Sequence, residues 1–517
     1  MGSSEEKKLP GVMTITLIIV MGTFMALLDS SILNVALPKL MVLFSVDTKQ
    51  IEWVLTAYML VSGAIIPITS YLGDRFGYRT TYVWAMASFT VGSLLCGLAW
   101  NNPSLIVFRV IQGIGGGLIM PVGMAMMFRF IPKEKMGAAM GLFGLSMAVA
   151  PSIGPTLGGL IVEHYSWRWL FMINVPIGII SVFLTHFVLP ETPTRKMGKF
   201  DLWGFLLGSG SAFLFLLALA EGESWGWTSY EIVMLLFSAT IALALLIIVE
   251  LNHPEPLLDM RIFLHKEFSY SVLLGCGLFI SMIAAVILLP IYLQSLRGYS
   301  AIQTGLVMMP QALAMGFSMA LSGRLFDKVG ARPLILIGIP LILFSTYQLH
   351  TLSTDTPDSL ISFYMVIRGL GMGLSFMPIN TAGVAAVPPM KAGAASTMST
   401  LVRNVAGSIG IALTTVLLEN RQFFHLHRMA EDLNLFSPSW GAMQQSSTGL
   451  LATVGDTSAA PAATLSMMNG QVLAQAAAWS FGDVFLIFAT FILCIFPLAL
   501  LFKKKEKREG EQPVFAE

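Results

Sequence analysis

Charge is what this chain has least of: only 11% of its 517 residues are Asp, Glu, Lys or Arg. Soluble domains carry about 25%, so an ordinary water-soluble fold is excluded. Cysteine is nearly absent, and Cys96, Cys276 and Cys494 each sit inside an apolar stretch, which leaves no disulfide framework and no thiolate metal site. Neither a phosphate-cradling glycine loop, a His/Cys cluster at metal-ligand spacing nor a nucleophile-base pattern is present. No enzymatic activity, cofactor, metal or nucleic-acid partner is therefore expected. The first apolar run lacks a small-residue cleavage pattern and carries Asp29; it reads as a retained helix rather than a cleaved signal, with the mature chain starting near Met1.

What is abundant is hydrophobic sequence, 55% of the chain. It falls into fourteen apolar runs near 13–34, 51–72, 80–99, 104–128, 137–161, 169–189, 202–220, 231–249, 268–293, 302–322, 333–351, 359–380, 396–418 and 478–502. Most are about 20 residues long, the length a helix needs to cross the hydrocarbon core. Lipid cannot satisfy free backbone groups, and barrel strands would alternate over about ten residues, so the runs predict an all-α membrane protein with fourteen transmembrane helices. With the N-terminus inside, 21 of the 30 Lys and Arg residues face the cytoplasm, six lie outside, and Arg109, Arg368 and Arg403 fall within runs. That bias predicts both termini in the cytoplasm.

The sequence repeats itself. Ser70 to Arg79, containing Asp74, Arg75, Gly77 and Arg79, is echoed by Gly323 to Arg332, containing Asp327 and Lys328, with Asp74 and Asp327 separated by 253 residues. Val110 to Leu118 is echoed by Val366 to Leu374, and Ala150 to Gly154 by Ala406 to Gly410, both at 256. This predicts a six-helix bundle over 13–189, two inserted helices over 200–250, and a second six-helix bundle over 268–502. Two like halves rocking about a central site is the plan of alternating-access transporters. The segment 419–477, rich in Ala, Ser, Gln, Met and Gly, reads as an extracytoplasmic loop: a partly helical surface cap, or else a gate or docking surface. His425 and His427 lie within it, and two histidines read alone do not make a metal site, so no metal is expected there.

Asp29 is the one acid well inside the first six runs. An ionisable group at such depth should face the bundle interior and marks a functional hypothesis. It reads as the group that takes a proton from one side and gives it to the other, with a structural interhelical hydrogen bond as the plainer alternative. Arg109 and Gln112 share one face of the fourth run, suiting Arg109 to a switchable pairing with a protonatable acid or to a permanent anchor. In the fifth run, Pro151, Gly154, Pro155, Gly158 and Gly159 supply small residues for close helix approach and prolines for bending. The two acidic-basic loops could pair across helices in one conformation and part in another; a solvated turn is the alternative. Asn34, Gln112, Arg368, Arg403 and Asn404 are read as cavity or coupling residues. The polar groups Asp201, Glu221, Glu250, Asn380 and Asp483 sit mostly near helix ends, within reach of the interface.

Taken together, these residues resemble the major facilitator superfamily, and more narrowly its fourteen-helix drug:proton antiporters of the EmrB/QacA type, from about residue 13 to 502. The resemblance implies that the Asp29 segment is the first-helix signature of those exporters and that Asp74 to Arg79 is their loop motif. It likewise implies that Arg109 to Gly117 is the fourth-helix basic motif tied to proton coupling, and that Gly154-Pro155 with Gly158-Gly159 is the fifth-helix antiporter motif of exporters. Ser70, Tyr78 and Ala150 depart from the family pattern, where Gly, Arg and Gly are usual. The implied function is proton-coupled efflux of amphipathic, hydrophobic or cationic drug-like compounds, in contact with the lipid bilayer and with a periplasmic adaptor as the partner known in the EmrB branch. The rivals are a dedicated exporter of one metabolite or siderophore, and a non-transporting membrane sensor or scaffold.

Overall fold

The computed structural model describes residues 11–192, 194, 200–254, 256–353, 355–388, 391–432 and 460–502. Helices cover all fourteen apolar runs: α1 (Val12–Phe44), α2 (Thr48–Phe76), α3 (Tyr78–Gly97), α4 (Asn102–Phe130), α5 (Lys133–His164), α6 (Trp169–Val188) and α7 (Leu202–Trp225). They continue with α8 (Tyr230–Asn252), α9 (Lys266–Leu296), α10 (Ala301–Val329), α11 (Ala331–Thr351), α12 (Asp358–Ala385), α13 (Ala392–Asp432) and α14 (Ala460–Ile495). Among the described residues there is no strand. Twelve of these helices are long and apolar enough to cross a membrane, and thirteen if α5, bent by 43° between Pro151 and Thr156, is one span. The expectation of fourteen equal spans is met less fully at α3, whose Thr, Ser, Gly and Tyr residues make it less apolar than the rest.

Local sequence sets the helix ends. Asp47 accepts the Gln50 backbone N–H at 2.7 Å to start α2, and capping boxes Asn101/Ser104 and Ser300/Gln303 start α4 and α10. Gly77 (φ +88°) and Gly330 (φ +81°) make the turns from α2 to α3 and from α10 to α11. Both hold a left-handed backbone that a side chain would strain, which is why glycine recurs at the same position of the repeat.

Helices α1 to α6 pack chiefly on one another, as do α9 to α14, while α7 and α8 pair and lean on α2 and α13. The main contact across the two groups is α5 against α10, at the end of the bundle that carries the repeated loop. There a Cβ on Gly137 would strike the Gly323 backbone and one on Gly141 would strike Ala320. Leu145 meets Gly316, and Gly393 of α13 abuts the Tyr78 ring beside Arg129. The bundle is closed at the loop-motif end.

Two placements differ from the sequence reading, and one segment is defined more closely. Within segment 419–477, read as partly helical, α13 runs on to Asp432 and α14 begins at Ala460, while 433–459 lie outside the described residues. His425 does have an acidic partner, its Nε2 lying 2.8 Å from Asp483 on α14, a residue 58 positions away that no local scan would pair with it. Asp201, Glu221 and Glu250, placed near the interface by their helix-end positions, are buried, and Glu250 accepts the Leu258 backbone N–H at 3.0 Å. The chain folds back over that end of α8 and closes it from water. The basic residues Lys7, Lys8, Arg195, Lys196, Lys199 and those beyond 502, together with the side chains of Pro155 and Asp327, lie outside the described residues.

Candidate functional site

The site is built around one carboxylate. Asp29, three-quarters of the way along the apolar part of α1, is 2% exposed, and Arg109 and Gln112 of α4 are fully buried. Arg109 Nη1 donates to Asp29 Oδ2 at 2.6 Å, Gln112 Nε2 to Asp29 Oδ1 at 3.0 Å, and Asn174 Nδ2 at the head of α6 to the same Oδ1 at 2.7 Å. Gln112 also donates to Ser93 Oγ of α3 at 2.6 Å and accepts from Arg109 Nη1 at 2.6 Å. Arg109 Nε reaches the Val54 carbonyl of α2 at 3.2 Å, and its guanidinium lies over the Tyr58 ring, 4.2 Å from the centroid. Arg109 Nη2 and Asn174 Oδ1 find no partner.

The spacing of α4 explains the geometry. Positions 109 and 112 lie on one helical face, and the close approach of glycines 113, 115 and 117 to Tyr58, Ala85 and Ser62 draws α2 and α3 against that face. Chemically, a buried ion pair is held by its two charges together. Taking one away strands the other in a medium that cannot solvate it. A proton on Asp29 would remove the negative partner and leave Arg109 with Gln112 Oε1, the Val54 carbonyl and the Tyr58 face. In the conformation described, the carboxylate is covered by Arg109, Gln112 and Asn174.

The small residues of α5 touch the same place. A Cβ on Gly154 would collide with Ser31 and one on Gly158 with the Ile32 carbonyl, while Ser31 Oγ donates to the Pro151 carbonyl at 3.0 Å. Helix α5 is therefore seated on α1 two to three residues beyond Asp29. Gly159 faces open space, with nothing within 4 Å.

The loop motif forms its own cluster. Asp74 pairs with Arg129 of α4 at 2.9 Å and accepts from Tyr78 Oη at 3.2 Å, and the Arg129 guanidinium lies 4.2 Å from the Tyr78 ring centroid. Arg79 pairs with Glu191 at 2.5 Å, and Arg75 bonds Tyr71 Oη. In the second copy, Lys328 is exposed. Tyr78, where the family pattern has Arg, thus supplies the hydroxyl and ring that hold Asp74 and Arg129.

The remaining candidates do not join Asp29. Asn34 is exposed on α1 and Asn404 is half-buried on α13. Arg368 of α12 is fully buried and donates to the Ser281 carbonyl of α9 at 2.6 Å, to Ser281 Oγ and to Thr346 Oγ1 of α11. Arg403 donates to Asn380 Oδ1 at 2.9 Å beside the Phe376 ring. Ser281, Thr346 and Arg368 stand 252, 253 and 256 residues after Asp29, Ser93 and Gln112, so the second half has serine at the place of the acid and its arginine at the place of Gln112. Asn174, Ser93 and Tyr58 escaped the sequence reading; an Asn inside the run 169–189 was the available signal for the first. No cluster of three or more metal-capable side chains occurs among the described residues.

A bundle of helices long and apolar enough to cross a membrane, with a charge pair buried in its interior, defines a multi-pass membrane protein. A family model described as Major Facilitator Superfamily matches residues 19–411, and the chain belongs to that superfamily. Its relatives include the uncharacterized MFS-type transporter YhcA of Bacillus subtilis (strain 168), 36% identical over 85% of this chain and 83% of the relative. The multidrug export protein EmrB of Escherichia coli (strain K12) is 30% identical over 93% of this chain and 95% of its own. The riboflavin transporter RibZ of Clostridioides difficile (strain 630) is 33% identical over 85% and 96%. Among solved structures, the human organic anion transporter MFSD10 superposes with a TM-score of 0.59 at 12% identity, covering 93% of this chain and 100% of that one. The proton:xylose symporter XylE gives 0.58 at 14%, covering 95% and 99%. These likenesses establish the fold.

Proposed function

We propose that the chain is a proton-coupled exporter of amphipathic, hydrophobic or cationic compounds. It works by alternating access of the bundles 13–189 and 268–502, in a bacterial cytoplasmic membrane with both termini inside. The observation that carries this reading is the sealed Asp29–Arg109 pair. A proton and a cargo that each loosen it compete for one carboxylate, and that competition turns a proton gradient into export. The multidrug relatives support the direction and breadth of transport. In this reading Asp29 carries the proton, Arg109 senses its loss, and α5, seated on α1 through Gly154 and Gly158, passes the change to the α5–α10 contact that closes the loop-motif end.

The test is dye efflux in everted vesicles. Wild type accumulates dye when a proton gradient is imposed, and Asp29→Asn does not, at equal protein level; undiminished transport by Asp29→Asn removes the acid from coupling. A second reading, export of a single metabolite, is favoured by the equally similar riboflavin transporter. A cargo panel in the same vesicles separates the two: drive by one compound alone supports the narrow exporter.

A further inference from the structure

A groove of about 300 Å³ opens between the inserted pair α7–α8 and α13, away from Asp29. Its walls are apolar: Ala212 and Phe215 from α7, Leu243 and Ile247 from α8, Leu401 and Val402 from α13. The hydroxyls within it are already used, Ser211 bonding the Gly208 carbonyl at 3.1 Å and Thr240 the Leu236 carbonyl at 2.8 Å. The groove therefore offers shape and apolar surface but no polar group to orient a cargo. It runs inside the membrane-crossing parts of these helices, where the surrounding solvent is hydrocarbon.

Its end at the loop-motif face is different. Met260 and Phe263 form that end and belong to a short helix, Met260–Leu264, which also carries Arg261. Arg261 and Lys266 are exposed there, and neither side chain forms an ion pair with a described acid; the Arg261 side chain donates to the Leu251 carbonyl at the foot of α8, and its backbone N–H to Asp259 Oδ1. Of the two acids beside them, Asp259 is engaged by Lys391 of α13 at the same end, and Glu267 follows Lys266 in the first turn of α9. Two exposed cations at the membrane boundary above an apolar slot match a molecule with an anionic head and a hydrocarbon tail.

We propose that this groove is a binding site for an anionic phospholipid, with one acyl chain between α7, α8 and α13 and the phosphate on Arg261 and Lys266. The bound chain fills the seam between the insert and the second bundle. The site rests on the membrane spans alone and stands whether or not the chain exports drugs.

The test is native mass spectrometry of the full chain, delipidated in detergent and titrated with phosphatidylglycerol or with phosphatidylcholine of the same chains. Wild type should retain phosphatidylglycerol at about tenfold lower concentration. Arg261→Gln with Lys266→Gln, both on the surface, should abolish that preference while leaving phosphatidylcholine binding unchanged. Thr240→Trp, placed at an exposed position of the groove wall, should weaken both lipids. Wild-type preference in the double variant, or undiminished binding of both lipids in Thr240→Trp, overturns the proposal. So does displacement of the lipid by a cationic dye that Thr240→Trp no longer binds, since the groove would then take cargo.

Discussion

Asp29 is held from two other helices, by Arg109 and Gln112 of α4 and Asn174 of α6, and that arrangement makes a quantitative expectation at the scale of single residues. Removing one member of a buried ion pair costs about 3–5 kcal/mol because the other is left uncompensated. Arg109→Gln alone should therefore lower the thermal midpoint in detergent more than Asp29→Asn with Arg109→Gln together, and the double-mutant cycle should return a coupling of about 2 kcal/mol or more. Additive losses would mean that the two charges stabilise the fold independently. The second half allows a matched control. Ser281, Thr346 and Arg368 hold the corresponding positions without an acid, so Ser281→Ala leaves Arg368 its Thr346 and Ser281 carbonyl contacts and should leave proton-driven transport in place.

At the scale of elements, the contact that closes the loop-motif end is backbone against backbone. A Cβ at Gly323 would meet the Gly137 main chain, which cannot swing aside as a flexible side chain would. Gly323→Ala is expected to hold α5 and α10 apart and populate the state open on that side. With Cys494 replaced and Leu145→Cys introduced, maleimide labelling from the loop-motif side should rise by about tenfold, a shift of about 1.4 kcal/mol in the equilibrium. Gly159→Ala, whose new methyl meets nothing within 4 Å, should label as wild type and change stability by less than about 0.5 kcal/mol. Equal labelling in the two variants would show that the crossing does not gate.

For the whole molecule, what the sequence made legible follows from what a bilayer forbids. A charge inside an apolar run is conspicuous, so Asp29, Arg109, Arg368 and Arg403 could be read directly, and helices follow from run length because lipid permits little else. The repeat was legible because a tight turn demands glycine at 77 and again at 330. Partners were not. Asn174 and Ser93 are uncharged polar residues that helices tolerate at many positions, so an Asn or a Ser within a run does not by itself point to Asp29 or to Gln112 as its partner. The union of His425 with Asp483 depends on how far α13 extends past the membrane, which hydropathy does not report. Nor does an apolar run say whether it faces lipid, a neighbour or a groove, so the slot beside α13 appears only once α7 and α8 are set against it.

The central claim is that cargo and proton compete for the carboxylate sealed by Arg109. The most direct measurement is proton release on cargo binding, followed with a pH indicator in weakly buffered detergent solution near the pH where half of the protein is protonated. Wild type should release protons in proportion to the cargo bound, and Asp29→Asn, still binding cargo, should release none. Cargo binding to wild type without proton release, or the same release from Asp29→Asn, would contradict the account.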